Sequence, residues 1–201
     1  MKWFLGALAA VLSTTAISGD FYAGVSAGQS KASFSNDFTA PGVTVAADHR
    51  AASALKVFGG YEISSYLAIE GGFTRLGEPH LTTHDAASGA DVQRKFAAHS
   101  WNIAGKATLP LANDVSAFAK LGLTRNSVKR YSDSATLLEF TSSRKDVLYG
   151  AGLGYALTKN FSLRLEYERY GSFGSDPASN SNATGRLKFS LWSFGLEYHL
   201  R

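Results

Sequence analysis

Along FGGYEISSYLAIEGGF, residues 58–73, apolar and polar side chains alternate with a period of two. Tyr61, Ile63, Leu67, Ile69 and Phe73 share one parity, and Gly60, Glu62, Ala68, Glu70 and Gly72 share the other, as in two strands flanking a turn. A two-residue turn at Ser64-Ser65 would send the two apolar sets to opposite faces. A three-residue turn, Ser64-Ser65-Tyr66, keeps them together and is the expectation. One face is then large and apolar, and the other carries small residues and carboxylates.

The pattern recurs twice. WNIAGKATLPLANDVSAFAKLGL, residues 101–123, and DVLYGAGLGYALTKNFSLRLEYERY, residues 146–170, alternate in the same way around turns expected at 110–114 and 158–160, where Pro, Asn and Asp suit hairpin tips. FYAGVSAGQS and SLWSFGLEYHL add one strand at each end. Between them lie four long polar segments, 31–50, 77–91, 125–145 and 171–186. Short turns alternating with long loops, on strands of about ten residues, match an outer-membrane barrel with periplasmic turns and surface loops. The predicted fold is all-β: an eight-stranded antiparallel up-and-down transmembrane β-barrel, a closure that leaves no edge strand.

Charges on such strands must face the lumen while the apolar parity faces lipid. Glu62 and Glu70 therefore point inward, and by the same parity so do Lys56, Lys106, Lys120, Arg164, Glu166, Glu168 and Glu197. Leu67, Ile69, Leu121, Leu153, Leu165 and Phe194 face lipid. The 158–160 turn sets Arg164 opposite Gly154, Glu166 opposite Gly152 and Glu168 opposite Gly150, and the first hairpin sets Glu70 opposite Gly60. Large residues matched against small ones predict a filled lumen.

The chain has 201 residues, 45% hydrophobic and 18% charged, without cysteine. Lys2, an apolar WFLGALAAVL and a polar STTAIS read as a secretory signal peptide over residues 1–18, with cleavage after Ser18 or, in competition, Ala16. The apolar run is far short of the roughly 20 residues a helical span needs. Residues 19–201 form the barrel domain. The formal charge of +4 becomes +3 without Lys2, and the signs are scattered. The chain has no basic block with interleaved aromatics, so nucleic acid is not an expected partner.

FGGYEISSYLAIEGGFTRLG, GKATLPLANDVSAFAKLG and GYALTKNFSLRLEY, with FYAGVSAG and SFGLEYHL at the ends, resemble the strands of the eight-stranded transmembrane domain of outer-membrane protein A and its small relatives. The resemblance implies a bacterial outer-membrane location, insertion by the outer-membrane assembly machinery, and contact with outer-membrane lipid and lipopolysaccharide. It also implies a structural, surface-interaction (adhesion or host-contact) or narrow-pore role, with a host or surface ligand reached through the loops. The chain stops at Arg201, so the peptidoglycan-binding domain of the longer relatives and its anchoring role are not carried over. Leu200-Arg201 replaces the usual terminal aromatic. In the family an inward Glu exchanges between a Lys and an Arg to control a narrow pore. The matching positions are Glu70, Lys106 and Arg164. The family's second Glu is matched by Gly154, so Glu62, Glu166 or Glu168 would have to substitute. Glu70 is then expected to be shared by Lys106 and Arg164 in a closed plug.

The alternative function is a lipid-A-modifying outer-membrane enzyme, which needs a His with an acid and a hydroxyl on one face near the outer leaflet. Adjacent His99 and Ser100 project to opposite faces. Glu197 and His199 share the inner face and read as part of a polar lumen network. His80 and His84 fall in a loop and lack the three or four placed ligands of a metal site. No cofactor or catalytic residue is expected. A secreted lipocalin-type barrel would need the reverse parity. Lys129, Arg130, Arg144 and Lys145 form the one basic concentration, a candidate contact for lipopolysaccharide phosphates.

Overall fold

The computed structural model describes residues 20–34, 43–49, 51–78, 80–85, 90–112, 114–132, 140–173 and 187–200; the signal segment 1–18 lies outside them. The strands are β1 (Phe21–Phe34), β2 (Val43–His49), β3 (Ala51–Ser64), β4 (Leu67–Arg75), β5 (His80–Asp85), β6 (Ala90–Ala112), β7 (Val115–Ser132), β8 (Phe140–Ala156), β9 (Phe161–Phe173) and β10 (Leu187–Leu200). β1, β3, β4, β6, β7, β8, β9 and β10 pair antiparallel in that order and close β10 onto β1. The eight-stranded barrel is thus the observed fold. The two further strands correct the expectation of plain loops: β2 pairs β5, and β5 pairs the start of β6, whose ladder with β7 reaches Arg94–Ser132.

The hairpins keep the expected parity by varied means. In β3–β4, Gly60 is opposite Glu70 as expected, but Ser64 pairs Leu67, so the turn is the pair Ser65-Tyr66 with Ile63 as an extra, bulged residue. The Ser64 hydroxyl accepts the amides of Tyr66 and Leu67. In β6–β7 the expected turn over 110–114 is shorter: the strand continues to Ala112, opposite Val115, with an irregularity between Pro110 and Ala112. Pro110 has no amide to donate, which a bulge tolerates. Asp114 turns the chain at φ 67°. The β8–β9 register sets Gly150, Gly152 and Gly154 against Glu168, Glu166 and Arg164, as the sequence predicts.

Following one rung of the ladder around the wall fixes the barrel's shear, and with it the tilt of the strands. From Lys31 it passes Ser190, Arg169, Tyr149, Leu121, Gly105, Ile69 and Tyr61, and returns to β1 at Phe21, ten residues lower. On strands tilted by roughly 40°, the ten residues from Phe21 to Lys31 of β1, about 3.3 Å each, climb about 25 Å, the height of an outer-membrane apolar band. Leu67, Ile69, Leu121, Leu153, Leu165 and Phe194 all face outward from that band and are exposed, Leu121 at 67%.

Candidate functional site

The inward parity converges in the barrel's middle. Arg164 Nη1 donates to Glu70 Oε2 at 2.7 Å. Lys120 Nζ donates to Glu70 Oε1 at 2.9 Å and to Glu168 at 2.6 Å, and also pairs with Glu166. Lys56 Nζ donates to Glu166 at 2.7 Å and to Glu168 at 2.8 Å, and lies 3.9 Å from Glu70. All six side chains are buried. Strands β3, β4, β7 and β9 are thereby cross-linked through the lumen. In so dry a site each charge is tolerable only because opposite charges and hydrogen bonds surround it.

Glu70 is not shared with Lys106, which corrects the expected gate. Ala68 pairs Lys106 and Glu70 pairs Ala104, so Lys106 starts one dipeptide nearer the turn end. There it lies 4.0 Å from Glu197 and 4.2 Å from the centre of the Tyr22 ring. Lys120, directly opposite Lys106 in the ladder, takes the second place on Glu70. Nor do Glu62, Glu166 or Glu168 reach Lys106. Glu197 is its acid and also pairs with Arg164 and with His199 Nε2, at 2.9 Å. Glu62 sits at the turn mouth, 3.7 Å from His199.

Sequence reasoning placed aromatics on the lipid side, but several fill the lumen. The Tyr22 hydroxyl donates to Glu70 at 3.1 Å, and the Tyr170 hydroxyl to Glu168 at 2.7 Å. Arg164 lies 4.3 Å from the Phe58 ring and 4.9 Å from the Phe118 ring. Parity was the available signal for Phe58, Phe118 and Tyr170, which share it with inward charges on their own strands, whereas β1 carries no inward charge that would mark Tyr22. The glycine matching holds with a different occupant: a Cβ on Gly60 would strike the Tyr22 ring, one on Gly24 the Phe58 ring, and one on Gly152 the Phe118 ring. Aromatic rings from neighbouring strands, as well as the paired charges, use the vacated space.

Toward the loop end the lumen turns hydroxylic and then apolar. Ser100 bonds Thr124 and, at 2.8 Å, Asn126; Thr74 bonds Tyr170 at 2.9 Å. On the loop side of them Leu76, Val128, Phe173 and Phe189 are buried, while Leu148 and Leu191 of the same apolar cluster stand lower, opposite Gly122 and Glu168. Phe173 reaches that cluster because Gly171, at φ +65°, creates a bulge that switches the inward parity of β9. Asp146 holds that bulge by accepting the Ser172 amide at 2.7 Å.

The basic quartet of the third loop is divided. Lys129 and Lys145 are exposed on outward parity, whereas Arg144 has inward parity and is half-buried; the side chain of Arg130 lies outside the described residues, as do those of His80 and His84. Ser100 is buried in the lumen, and the neighbouring His99 has the outward parity. The His199–Glu197 pair stands at the turn end, away from the loops.

The sequence matches the OmpA-like transmembrane domain over residues 17–200. It is 27% identical over 144 residues to outer membrane protein A of Serratia marcescens, covering 70% of this chain and 37% of that protein. It is 26% identical over 164 residues to an uncharacterized protein of Coxiella burnetii, covering 69% of this chain and 64% of that one. The match thus spans less than two thirds of each relative's length. Three crystal structures share the barrel: OprG from Pseudomonas aeruginosa (TM-score 0.59, 10% identity, 91% of this chain and 96% of that), Neisserial surface protein A (0.56, 17%, 89% and 96%) and the attachment invasion locus protein Ail of Yersinia pestis (0.52, 17%, 92% and 100%). With the family match running through nearly the whole described wall, and that wall closed around an inward-charged lumen inside an apolar band, the chain belongs to the OmpA-like transmembrane domain family of the bacterial outer membrane.

Proposed function

We propose that this protein is a closed-lumen surface barrel: a rigid membrane scaffold whose turns lie in the periplasm and whose strand-extended loops make contacts at the cell surface, in adhesion or host contact. The observation that carries this reading is the stacked closure of the lumen. Cross-linked charges fill the middle, and the Phe173–Phe189 layer covers them on the loop side, with those rings 4.7 Å apart. A channel needs a continuous wet path, and two successive dry layers interrupt it. Conductance is then at most narrow and incidental, and interaction falls to the loops, where function diverges on a common barrel. The Yersinia barrel of the same fold carries attachment and invasion in its name, which supports the reading by analogy.

The test pairs two measurements. In planar bilayers the wild type is expected to stay at baseline with rare, small openings. In adhesion assays, cells expressing it are expected to bind host-cell monolayers, and cells expressing a barrel whose four loops are replaced by short turns are expected not to. Steady conductance, or equal adhesion with and without the loops, overturns the proposal.

A further inference from the structure

The turn end of the lumen holds a cavity of about 120 Å³ that neither the charge cluster nor the loops account for. Glu62 and Asp114 stand at its mouth, and Lys106 and Arg164 lie deeper in. Gly154 keeps it open. A Cβ at that inward position would meet the Ser116 hydroxyl at 2.7 Å and otherwise only the Leu163 carbonyl, at 3.9 Å. The cross-linked charges around Glu70 seal the cavity on its inner side. With the turns in the periplasm, it is a blind cup that faces the periplasm.

The two ends of the cup are unsatisfied in opposite senses. At the inner end the buried Lys106 ammonium has one ion pair among the described residues, the 4.0 Å pair with Glu197, and otherwise rests on the Tyr22 and Phe118 rings. Glu197 is also held by Arg164 and His199, so Lys106 lacks a close acceptor of its own. At the outer end His199 is only 8% exposed, and its Nδ1 is buried with no hydrogen-bond partner among the described residues. Its Nε2 lies 2.9 Å from the Glu197 carboxylate, so the neutral ring donates there and turns the Nδ1 lone pair toward Glu62, 3.7 Å away. Acceptor faces acceptor across that gap. A donor placed in it satisfies both. Lys106 Nζ and His199 Nε2 both stand within 4.0 Å of one atom, Glu197 Oε1, so a single small molecule can reach both ends.

We propose that this cup binds a small zwitterion, an α-amino acid whose side chain is no larger than a methyl group. Its carboxylate meets Lys106 and the Ser116 hydroxyl, and its ammonium fills the gap between His199 Nδ1 and Glu62. The charge pattern selects a molecule with both signs. Glu62 and Asp114 at the mouth disfavour an anion alone, and Lys106 and Arg164 at the inner end disfavour a cation alone. The length agrees: two hydrogen bonds of about 2.8 Å and the roughly 3 Å from an α-carboxylate oxygen to its ammonium nitrogen span about 8–9 Å, suited to two groups that flank one carboxylate. The volume sets the upper limit. A space of about 120 Å³ is that of roughly four waters, enough for glycine or alanine and too small for an aromatic amino acid. The proposal goes beyond the surface role of the loops, since it concerns the opposite end of the barrel.

The test titrates the refolded barrel, in non-ionic detergent micelles, with glycine, L-alanine, acetate, methylamine and L-phenylalanine, read by saturation-transfer NMR of the small molecule. Glycine and alanine are expected to bind at least tenfold more tightly than the other three, because each of those lacks one charged contact or does not fit. Gly154→Glu, which fills the cup and brings a carboxylate toward Lys106, is expected to weaken glycine binding at least tenfold. His199→Phe, which keeps a ring and removes Nδ1, is expected to weaken it about tenfold. Lys129→Ser, exposed at the loop end, is expected to leave it unchanged. No saturable binding of glycine or alanine overturns the proposal. Acetate or methylamine binding as tightly as glycine overturns the assignment to a zwitterion, and phenylalanine binding as tightly overturns the assignment to the cup. Glycine binding undiminished in Gly154→Glu overturns the location. Should Gly154→Glu fail to fold, His199→Phe and the five probes on the wild type decide. Replacing the loops by short turns leaves the expected glycine binding intact, so this result is separable from the adhesion assay.

Discussion

Removing Lys120 should cost the barrel far more than removing Lys106, although Lys106 occupies the position that the family pattern assigns to the gate. Lys120 makes ion pairs with Glu70, Glu166 and Glu168 in a dry site. Lys120→Ala leaves those three carboxylates with only Lys56 and Arg164, and uncompensated buried charge of that kind costs about 3–5 kcal/mol. Lys106 contributes one pair at 4.0 Å and a ring contact with Tyr22, and its acid, Glu197, keeps Arg164 and His199 when the lysine is gone. Lys106→Ala should therefore cost about 1–2 kcal/mol. The assay is reversible urea unfolding of refolded protein in lipid vesicles, followed by the fluorescence of Trp101 and Trp192, which sit in the outer belt. A double-mutant cycle sharpens it: Glu70 and Lys120 should couple by about 0.5–3 kcal/mol, and Glu70 and Lys106 by no more than a few tenths. If Lys106→Ala is as costly as Lys120→Ala, or couples as strongly to Glu70, the assignment of partners in the lumen is wrong.

Leu121→Arg, outward and halfway up the band, should destabilise the barrel by about 2–4 kcal/mol in vesicles; unchanged stability would mean that this wall does not face hydrocarbon. Gly152→Ala should cost about 1–3 kcal/mol in the same urea assay, because the added Cβ meets the Leu165 carbonyl as well as the Phe118 ring, so a side-chain shift cannot relieve it alone. A cysteine at Lys159 should resist membrane-impermeant maleimide on intact cells and react after lysis; labelling of intact cells reverses the orientation.

The period-two alternation carried most of the fold. Because successive strand residues face opposite sides, the charged parity around Glu70 and the apolar parity around Leu121 could each have only one home in a bilayer, so the wall, its lipid face and the inward set were legible without coordinates. The odd hairpin connections were legible for the same reason: an even one would have flipped a charge into lipid. Turn detail was not, since Ser65-Tyr66 with Ile63 bulged preserves parity as well as a three-residue turn does. Partners within the lumen were beyond the sequence too. Whether Glu70 meets Lys106 or Lys120 depends on the stagger of strands across the barrel and on Tyr22 filling the space beside Gly60, contacts between residues far apart in the chain. The Gly171 bulge that turns Phe173 inward is likewise set by how β9 pairs with β10 in the closed wall. Alternation tells each residue which side it faces; only closing the barrel decides who stands beside it, because shear and tilt are set by all eight strands at once.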